Sequence, residues 1–114
     1  MNINISETLS KIAEILRVKT QQKTLSWTPT NSVDTYELNL GKGYVLISKP
    51  SDPFDTCLYN LEFLNSSRER IGYLIALSEE DPDYPLLKDI FVNAENSYLQ
   101  IDETLMSMLN VLES

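Results

Sequence analysis

Histidine is absent from all 114 residues of this chain, and cysteine occurs once, as Cys57. Histidine is the usual general base near neutral pH and the commonest metal ligand, so its absence excludes the common hydrolase triads and most transition-metal sites. A cysteine nucleophile needs a base to activate it, and here no histidine can serve. We therefore expect Cys57 to be a small core residue, and we predict no catalytic residue, cofactor or metal ion.

Long apolar runs are also missing. None approaches the roughly 18 residues that span a bilayer, and residues 1–10 lack the basic start and apolar stretch of a secretory signal. A single cysteine cannot close an internal disulfide, which agrees with a reducing compartment. We therefore expect a cytoplasmic protein. Residues 1–114 should form one domain, because 42% hydrophobic and 23% charged residues are ordinary for a globular chain.

Positive charge is scarce, since nine Lys and Arg against seventeen Asp and Glu give a net charge of −8. The imbalance lies in residues 78–114, which hold nine acids and Lys88 as their one base. Binding to nucleic acid or to an anionic membrane surface depends on Lys and Arg, so we expect neither partner. A basic protein partner fits this charge better, although acidic surfaces also keep small proteins soluble.

Apolar residues at steps of three and four predict an amphipathic helix at the N-terminal end. They are Ile5, Leu9, Ile12, Ala13 and Leu16. Asn4 is a fitting N-cap, and Glu7 three residues later completes a capping box. The segment that follows ends in Pro29 and is too short for a central strand, so we expect Trp27 to pack over the core.

Four runs of alternating apolar residues predict four strands. They are residues 36–40, 43–47, 57–63 and 71–77. The two-residue loop Gly41-Lys42 fixes the first pairing, with Leu38 opposite Val45 on the core face. In the second pair, both apolar sets share the core face if the loop has three residues, and Phe63 then lies opposite Ile71. The expected fold is α+β, with a four-stranded antiparallel meander and helices on one sheet face.

One apolar stripe runs through the last third of the chain at regular steps of four and three. Its members are Leu87, Phe91, Ala94, Tyr98, Ile101, Leu105, Met108 and Leu112. This heptad spacing is found in coiled coils, but it also describes a helix packed on a sheet, which we favour because the stripe covers only about three and a half heptads. A single rod would be about 40 Å long. We therefore expect one long or broken C-terminal helix, with a kink or a break around Asn96 to Asp102, Asp83 and Pro85 at its start, and Asp102 as the cap of a second helix if it is broken.

The predicted register leaves apolar residues on the sheet face opposite the helices. They are Tyr44, Leu46, Leu58, Leu64, Leu74 and Ala76. A solvated face is ordinarily more polar, and exposed apolar patches mark interaction sites. We expect this face to dock a protein partner or a second copy as a homodimer, unless the Trp27 segment or the proline-containing linker at residues 50–55 covers it.

Carboxylates cluster at a second candidate surface, which consists of Glu79, Glu80, Asp81 and Asp83. Calcium and magnesium bind oxygen-rich loops, but this segment lacks the ligand spacing, the glycine and the distal glutamate of an EF-hand. We interpret it as a solvated loop before a helix N-terminus. Asp52 and Asp55 form another pair, which we interpret as turn residues.

Several short motifs follow the N-terminal helix in a fixed order. They are Trp27, Tyr36–Leu40 followed by a glycine, Tyr59–Phe63 and Ile101–Leu105. Together they resemble a widespread group of small uncharacterised prokaryotic α+β domains, over nearly the whole chain. The motifs are short and carry no catalytic residue. The resemblance implies a bacterial interaction module.

These observations favour a non-enzymatic protein-interaction module over two alternatives. The first is an acidic immunity or antitoxin-type protein, whose C-terminal segment mimics an anionic substrate and neutralises a basic partner. The second is a histidine-free enzyme, which would need a pocket that collects Asp52, Asp55 and Tyr59. Charge-driven binding weakens steeply with salt, whereas apolar docking hardly changes.

Overall fold

The computed structural model describes residues 4–50 and 57–114. The elements are α1 (Ile5–Gln21), β1 (Thr28–Pro29), β2 (Thr35–Asn39), β3 (Gly43–Ser48), β4 (Tyr59–Asn65), β5 (Arg70–Ala76), α2 (Tyr84–Leu99) and α3 (Ile101–Glu113). The fold is α+β, as predicted, with an N-terminal helix, an antiparallel sheet and a broken C-terminal helix. The sheet has five strands in the order β1-β2-β3-β4-β5, and not the four that the sequence predicts.

The start of α1 follows its predicted cap. The side-chain Oδ1 of Asn4 accepts a hydrogen bond of 3.1 Å from the backbone N–H of Glu7, which satisfies one of the free donors at a helix start. Ala13 and Leu16 are buried on the side of α1 that faces the sheet and α2, whereas Ile5 is 63% exposed. The N-cap prediction is therefore confirmed, but the buried stripe begins later than the sequence pattern suggests.

The additional strand, β1, consists of Thr28 and Pro29. Thr28 pairs with Glu37 and Pro29 with Tyr36, so β1 lies at the edge of the sheet beside β2. Proline lacks the N–H that a central strand needs, which is consistent with an edge position. The absence of a central strand here agrees with the prediction, whereas the short edge strand is not predicted from the sequence.

The β2–β3 hairpin has the predicted register. Leu38 lies opposite Val45, and Tyr36 lies opposite Ile47. Gly41 has a φ of 88°, a left-handed conformation that glycine adopts without steric cost. The loop length alone was therefore sufficient to determine which side chains of this hairpin face the core.

The register predicted for β4 and β5 is wrong beyond the loop. The three-residue loop itself is present, because the N–H of Asn65 donates to the carbonyl of Glu69 at 2.9 Å. Leu64 then pairs with Arg70, but Phe63 pairs with Gly72 and not with Ile71. One residue of β5 is left over between these two pairs, which is a β-bulge.

The bulge places Ile71 and Gly72 on the helix side of the sheet. Ile71 lines a groove with Ile12 and Phe63, and a Cβ atom on Gly72 would lie 2.8 Å from the Cδ1 atom of Leu9. The absence of a side chain at Gly72 therefore allows α1 to approach β5 closely. Beyond the bulge, each residue of β5 lies on the sheet face opposite to the one that the predicted register gives it.

The core lies between the sheet and the layer formed by α1 and α2. Leu87 and Ile90 of α2 are fully buried, and the rings of Tyr36 and Tyr59 lie against Phe91 with centroid separations of 5.9 and 5.6 Å. The predicted placement of helices on one sheet face holds for α1 and α2, whereas α3 has no buried residue. Within the residues described, no helix is both long and apolar enough to cross a membrane.

A buried hydrogen bond ties Trp27 to α1, as the Nε1–H of Trp27 donates to Oγ1 of Thr20 at 3.1 Å. Replacing Thr20 with valine keeps the shape but leaves the indole N–H without its partner. We expect the free energy of unfolding to fall by about 1–3 kcal/mol, as measured by urea titration. The same change in a Trp27→Phe background should cost less, because no donor remains. Equal costs in both backgrounds would show that this bond contributes nothing.

Candidate interaction surface

The sheet face opposite α1 and α2, here called the outer face, carries part of the predicted apolar patch. Tyr44 and Leu64 form a cross-strand pair on this face, and Leu46 lies opposite Glu62. All three apolar side chains are partly buried. Leu58 precedes β4 by one residue, belongs to this side by alternation and is 39% exposed. The register prediction is therefore supported for these four positions.

The prediction is wrong for Leu74 and Ala76. The bulge at Ile71 turns both residues to the core side, where Ala76 is fully buried and Leu74 packs against the core. Tyr73 takes the corresponding position on the outer face, opposite Glu62, and is half exposed. Tyr73 is not predicted on this face from the sequence, because the predicted register places the apolar residues of β4 and β5 on one face.

The centre of the outer face is polar. Asn60 and Glu62 of β4 are both partly buried, and the Nδ2 atom of Asn60 donates to Oε1 of Glu62 at 3.3 Å. The Oδ1 atom of Asn60 is buried and has no hydrogen-bond partner within residues 4–50 and 57–114. An apolar partner placed here would bury these polar groups further, which costs free energy.

Arg68 spans one end of the outer face, and we call this contact the Arg68 strap. Its guanidinium donates to both carboxylate oxygens of Glu37 at 2.6 and 3.2 Å and lies 4.2 Å from the centre of the Tyr44 ring. The hydrogen bond from Arg68 lowers the pKa of Glu37. The strap joins the β4–β5 loop to β2 and β3, so it covers part of the predicted patch from within the chain.

The acidic cluster is partly a structural turn. Glu79 and Glu80 are exposed, whereas the carboxylate of Asp81 accepts from the N–H groups of Leu77 and Asp83 at 3.4 and 3.0 Å. The pKa of Asp83 is raised, mainly because its carboxyl group is partly buried and also because the charge of Asp81 lies nearby. Asp83 is the N-cap of α2, as predicted, but its side chain makes no capping hydrogen bond. The described residues contain no group of three or more carboxylates, cysteines or histidines suited to a metal ion.

An apolar groove runs between α1 and the beginning of β5. It has a volume of about 230 Å³ and is lined by Ile5, Thr8, Leu9, Ile12, Phe63 and Ile71. Its lining includes no titratable side chain, so it offers apolar contact without groups for acid–base chemistry.

The second half of the C-terminal apolar stripe is exposed. Ile101, Leu105, Met108 and Leu112, here called the α3 stripe, have exposed fractions of 36%, 58%, 57% and 82%. The first half of the same stripe, from Leu87 to Ala94, is buried in the core. The heptad pattern predicts both halves, but it does not show that the second half lies outside the core formed by the described residues.

The predicted break lies at Gln100, whose backbone is left-handed with φ 53° and ψ 44°. Across this break, Asn96 of α2 and Asp102 of α3 exchange hydrogen bonds, with Nδ2 of Asn96 donating to Asp102 at 3.0 Å and the N–H of Asp102 donating to Oδ1 of Asn96 at 3.3 Å. Asp102 therefore lies in the first turn of α3 and is not its N-cap.

Lys23, just beyond α1, completes this polar contact, and we call the group Lys23, Asn96, Asp102 and Glu103 the α3 clamp. The Nζ atom of Lys23 lies 2.6 Å from Glu103 and 3.4 Å from Asp102. The hydrogen bond to Glu103 raises the pKa of Lys23, and the bond from Lys23 lowers the pKa of Glu103. The clamp holds the first turn of α3 to the end of α1.

The remaining candidates contribute little to a site. Cys57 precedes β4 and is only partly buried, so the prediction of a core cysteine holds in part. Gly41-Lys42 is a hairpin loop, as predicted. Asp52 and Asp55, and the pocket predicted to collect them, lie outside the described residues.

Comparison of the chain with protein-family models, with curated proteins and with solved structures found no match. The resemblance to small prokaryotic domains therefore stays a prediction.

Two serine substitutions test the corrected register. Leu46 lies on the outer face and Leu74 packs against the core. Leu74→Ser should therefore lower the free energy of unfolding by about 2 kcal/mol or more, and Leu46→Ser by about 1 kcal/mol or less. Urea titration of both variants measures the difference. Equal losses, or a larger loss at Leu46, would contradict the bulged register.

A second prediction concerns the pH dependence of the Arg68 strap. Because the folded pKa of Glu37 is lowered, its ion pair stabilises the fold above the ordinary glutamate pKa of 4.5, and this stabilisation is lost as pH falls through the folded pKa. Glu37→Gln should cost about 0.5 kcal/mol at pH 7 and nothing in acid. A double-mutant cycle with Arg68→Gln isolates the coupling. Coupling that persists in strong acid would refute the ion pair.

Proposed function

We propose that this chain is a non-enzymatic protein-interaction module that docks its partner through the α3 stripe. The observation that carries this proposal is that none of the thirteen residues of α3 is buried, although seven of them are large and apolar. These seven are Ile101, Leu105, Met106, Met108, Leu109, Val111 and Leu112. Soluble proteins rarely leave so much apolar surface on one element unless that surface binds something.

The length of α3 supports the same conclusion. Isolated helices shorter than about 12–15 residues are marginal in water. The α3 clamp fixes the first turn, but the following residues gain nothing from the core because they do not contact it. A partner that covers the α3 stripe would supply the tertiary packing that stabilises most protein helices.

The outer face is a weaker candidate for the docking surface. Its centre consists of the partly buried polar pair Asn60 and Glu62, and the Arg68 strap already contacts Tyr44 at one end. Three of its apolar side chains, Tyr44, Leu46 and Leu64, are partly buried in the chain itself, whereas every apolar side chain of α3 is exposed.

Apolar docking is also favoured over neutralisation of a basic partner. Asp102 and Glu103 are already paired with Lys23, and Asp81 accepts hydrogen bonds within its own turn. Fewer carboxylates therefore remain free to attract a basic surface than the sequence count suggests.

A matched pair of double variants tests the proposal. The stripe variant, Leu105→Ser with Met108→Ser, removes two central apolar side chains of the α3 stripe. The control, Met106→Ser with Val111→Ser, removes two exposed apolar side chains of the same helix that are not members of the α3 stripe. Because neither pair is buried, the free energy of unfolding of the dilute chain should change by less than about 0.5 kcal/mol in both.

The readout is affinity capture with the tagged chain, followed by identification of bound protein and measurement with purified components. We expect at least one protein, or a second copy of this chain, to be retained by wild type and control but lost by the stripe variant. That binding should hardly weaken between low and high salt. A stripe variant that retains everything the wild type retains would overturn the proposal. Binding that disappears with salt would favour the neutralising alternative.

A further inference from the structure

We infer that the partner of the α3 stripe is a second copy of this chain, and that two α3 helices pair antiparallel about a two-fold axis. This inference rests on the proposed function, since it names the occupant of the same surface. It depends on the spacing of the stripe, the area that the stripe exposes, the α3 clamp and the helix dipole of α3.

The spacing of the α3 stripe is self-complementary. From Ile101 to Leu112 the steps are four, three and four residues, which read the same from either end. In an antiparallel pair, Ile101 of one copy therefore lies beside Leu112 of the other, and Leu105 beside Met108. A two-fold interface requires one patch that matches itself, and steps of four and three are those that pack two helices side by side.

The exposed area suits a dimer of modest strength. With the exposed fractions given above, the four stripe residues expose roughly 450 Å² on each chain, so their complete burial in a pair would remove about 900 Å² from water, which is just below the lower limit for a specific interface. Leu109, beside the stripe and 45% exposed, brings this area to about 1,000 Å². We expect a dissociation constant on the order of micromolar.

The α3 clamp explains why the stripe does not fold back onto its own chain. The left-handed residue Gln100 ends α2, and the pairs that Asp102 makes with Asn96 and Lys23 hold the first turn of α3 in place. A rotation that brought the stripe onto α2 would break these contacts. The stripe is therefore presented outward by polar contacts that a dimer would leave intact.

The helix dipoles favour the antiparallel orientation over the parallel one, because the N-terminus of each α3 then lies beside the C-terminus of the other copy. α3 carries Asp102, Glu103 and Glu113 and no basic residue. Side-chain charge hardly distinguishes the two orientations, because Asp102 and Glu103 are paired with Lys23 and would lie beside their own copies in a parallel pair and beside Glu113 of the other copy in an antiparallel pair. Like charges remain on the flanks of both helices, so added salt should leave the dimer unchanged or strengthen it.

The first experiment is sedimentation velocity on the purified full chain from about 1 μM to 1 mM, a range that brackets the expected constant. Wild type and the Met106→Ser/Val111→Ser control should form a dimer of similar affinity. The Leu105→Ser/Met108→Ser variant should dimerise on the order of a hundredfold more weakly, while its urea unfolding at low concentration matches that of the wild type. A wild type that stays monomeric to 1 mM, or a stripe variant that dimerises like the wild type, would overturn the inference.

Disulfide cross-linking then tests the orientation. Ile101→Cys and Leu112→Cys are made separately in a Cys57→Ser background, mixed in equal amounts and oxidised. An antiparallel pair should give the mixed dimer as the main product, identified by mass spectrometry. Predominance of the two homodimers would show a parallel pair and overturn the orientation.

These outcomes separate the second copy from the more general proposal. A monomeric wild type whose captured partner is another protein, lost in the stripe variant, would reject the second copy and retain the interaction module. A stripe variant that behaves like the wild type in both sedimentation and capture would reject both.

Discussion

The left-handed backbone at Gln100 is the constraint on which the division between core and surface depends. The apolar stripe of the last third of the chain continues through this residue without a change in spacing, but the helix does not. Before the break, Leu87 and Phe91 fill the space under the sheet. After it, α3 leaves the core, and none of the residues of its stripe belongs to the buried core or packs against it. One backbone conformation therefore turns a continuous pattern into a core half and an exposed half.

Polar contacts keep that division in place. A left-handed residue other than glycine is strained, so the break needs compensating interactions. Asn96 and Asp102 bond across the break, and Lys23 brings the end of α1 to the same point. The exposed position of α3 is thus determined by specific side chains from three parts of the chain.

The two hairpins show how far local sequence rules reach. A two-residue loop leaves no freedom of register, so the core face of β2 and β3 followed from Gly41-Lys42 alone. The three-residue loop of the second hairpin was also predicted, but the bulge at Ile71 lies beyond it. At the bulge, Leu9 of α1 lies so close to Gly72 that a Cβ atom there would clash with it. This contact is between residues far apart in sequence, and no local pattern contains it.

The candidate surfaces follow the same logic. Tyr44, Leu46 and Leu64 were placed correctly because their register depends on a loop, whereas Leu74 and Ala76 were misplaced because theirs depends on packing. The heptad pattern predicts the α3 stripe, but such a pattern shows only that a helix has an apolar side and does not show what covers it.

An exposed apolar helix is an aggregation hazard unless its associations are limited. Here the acidic residues beside the stripe oppose random association through their like charges, so a partner must match the stripe closely enough to outweigh that repulsion. A second α3 helix has the same spacing of apolar residues, so it can contact all four members of the stripe at once.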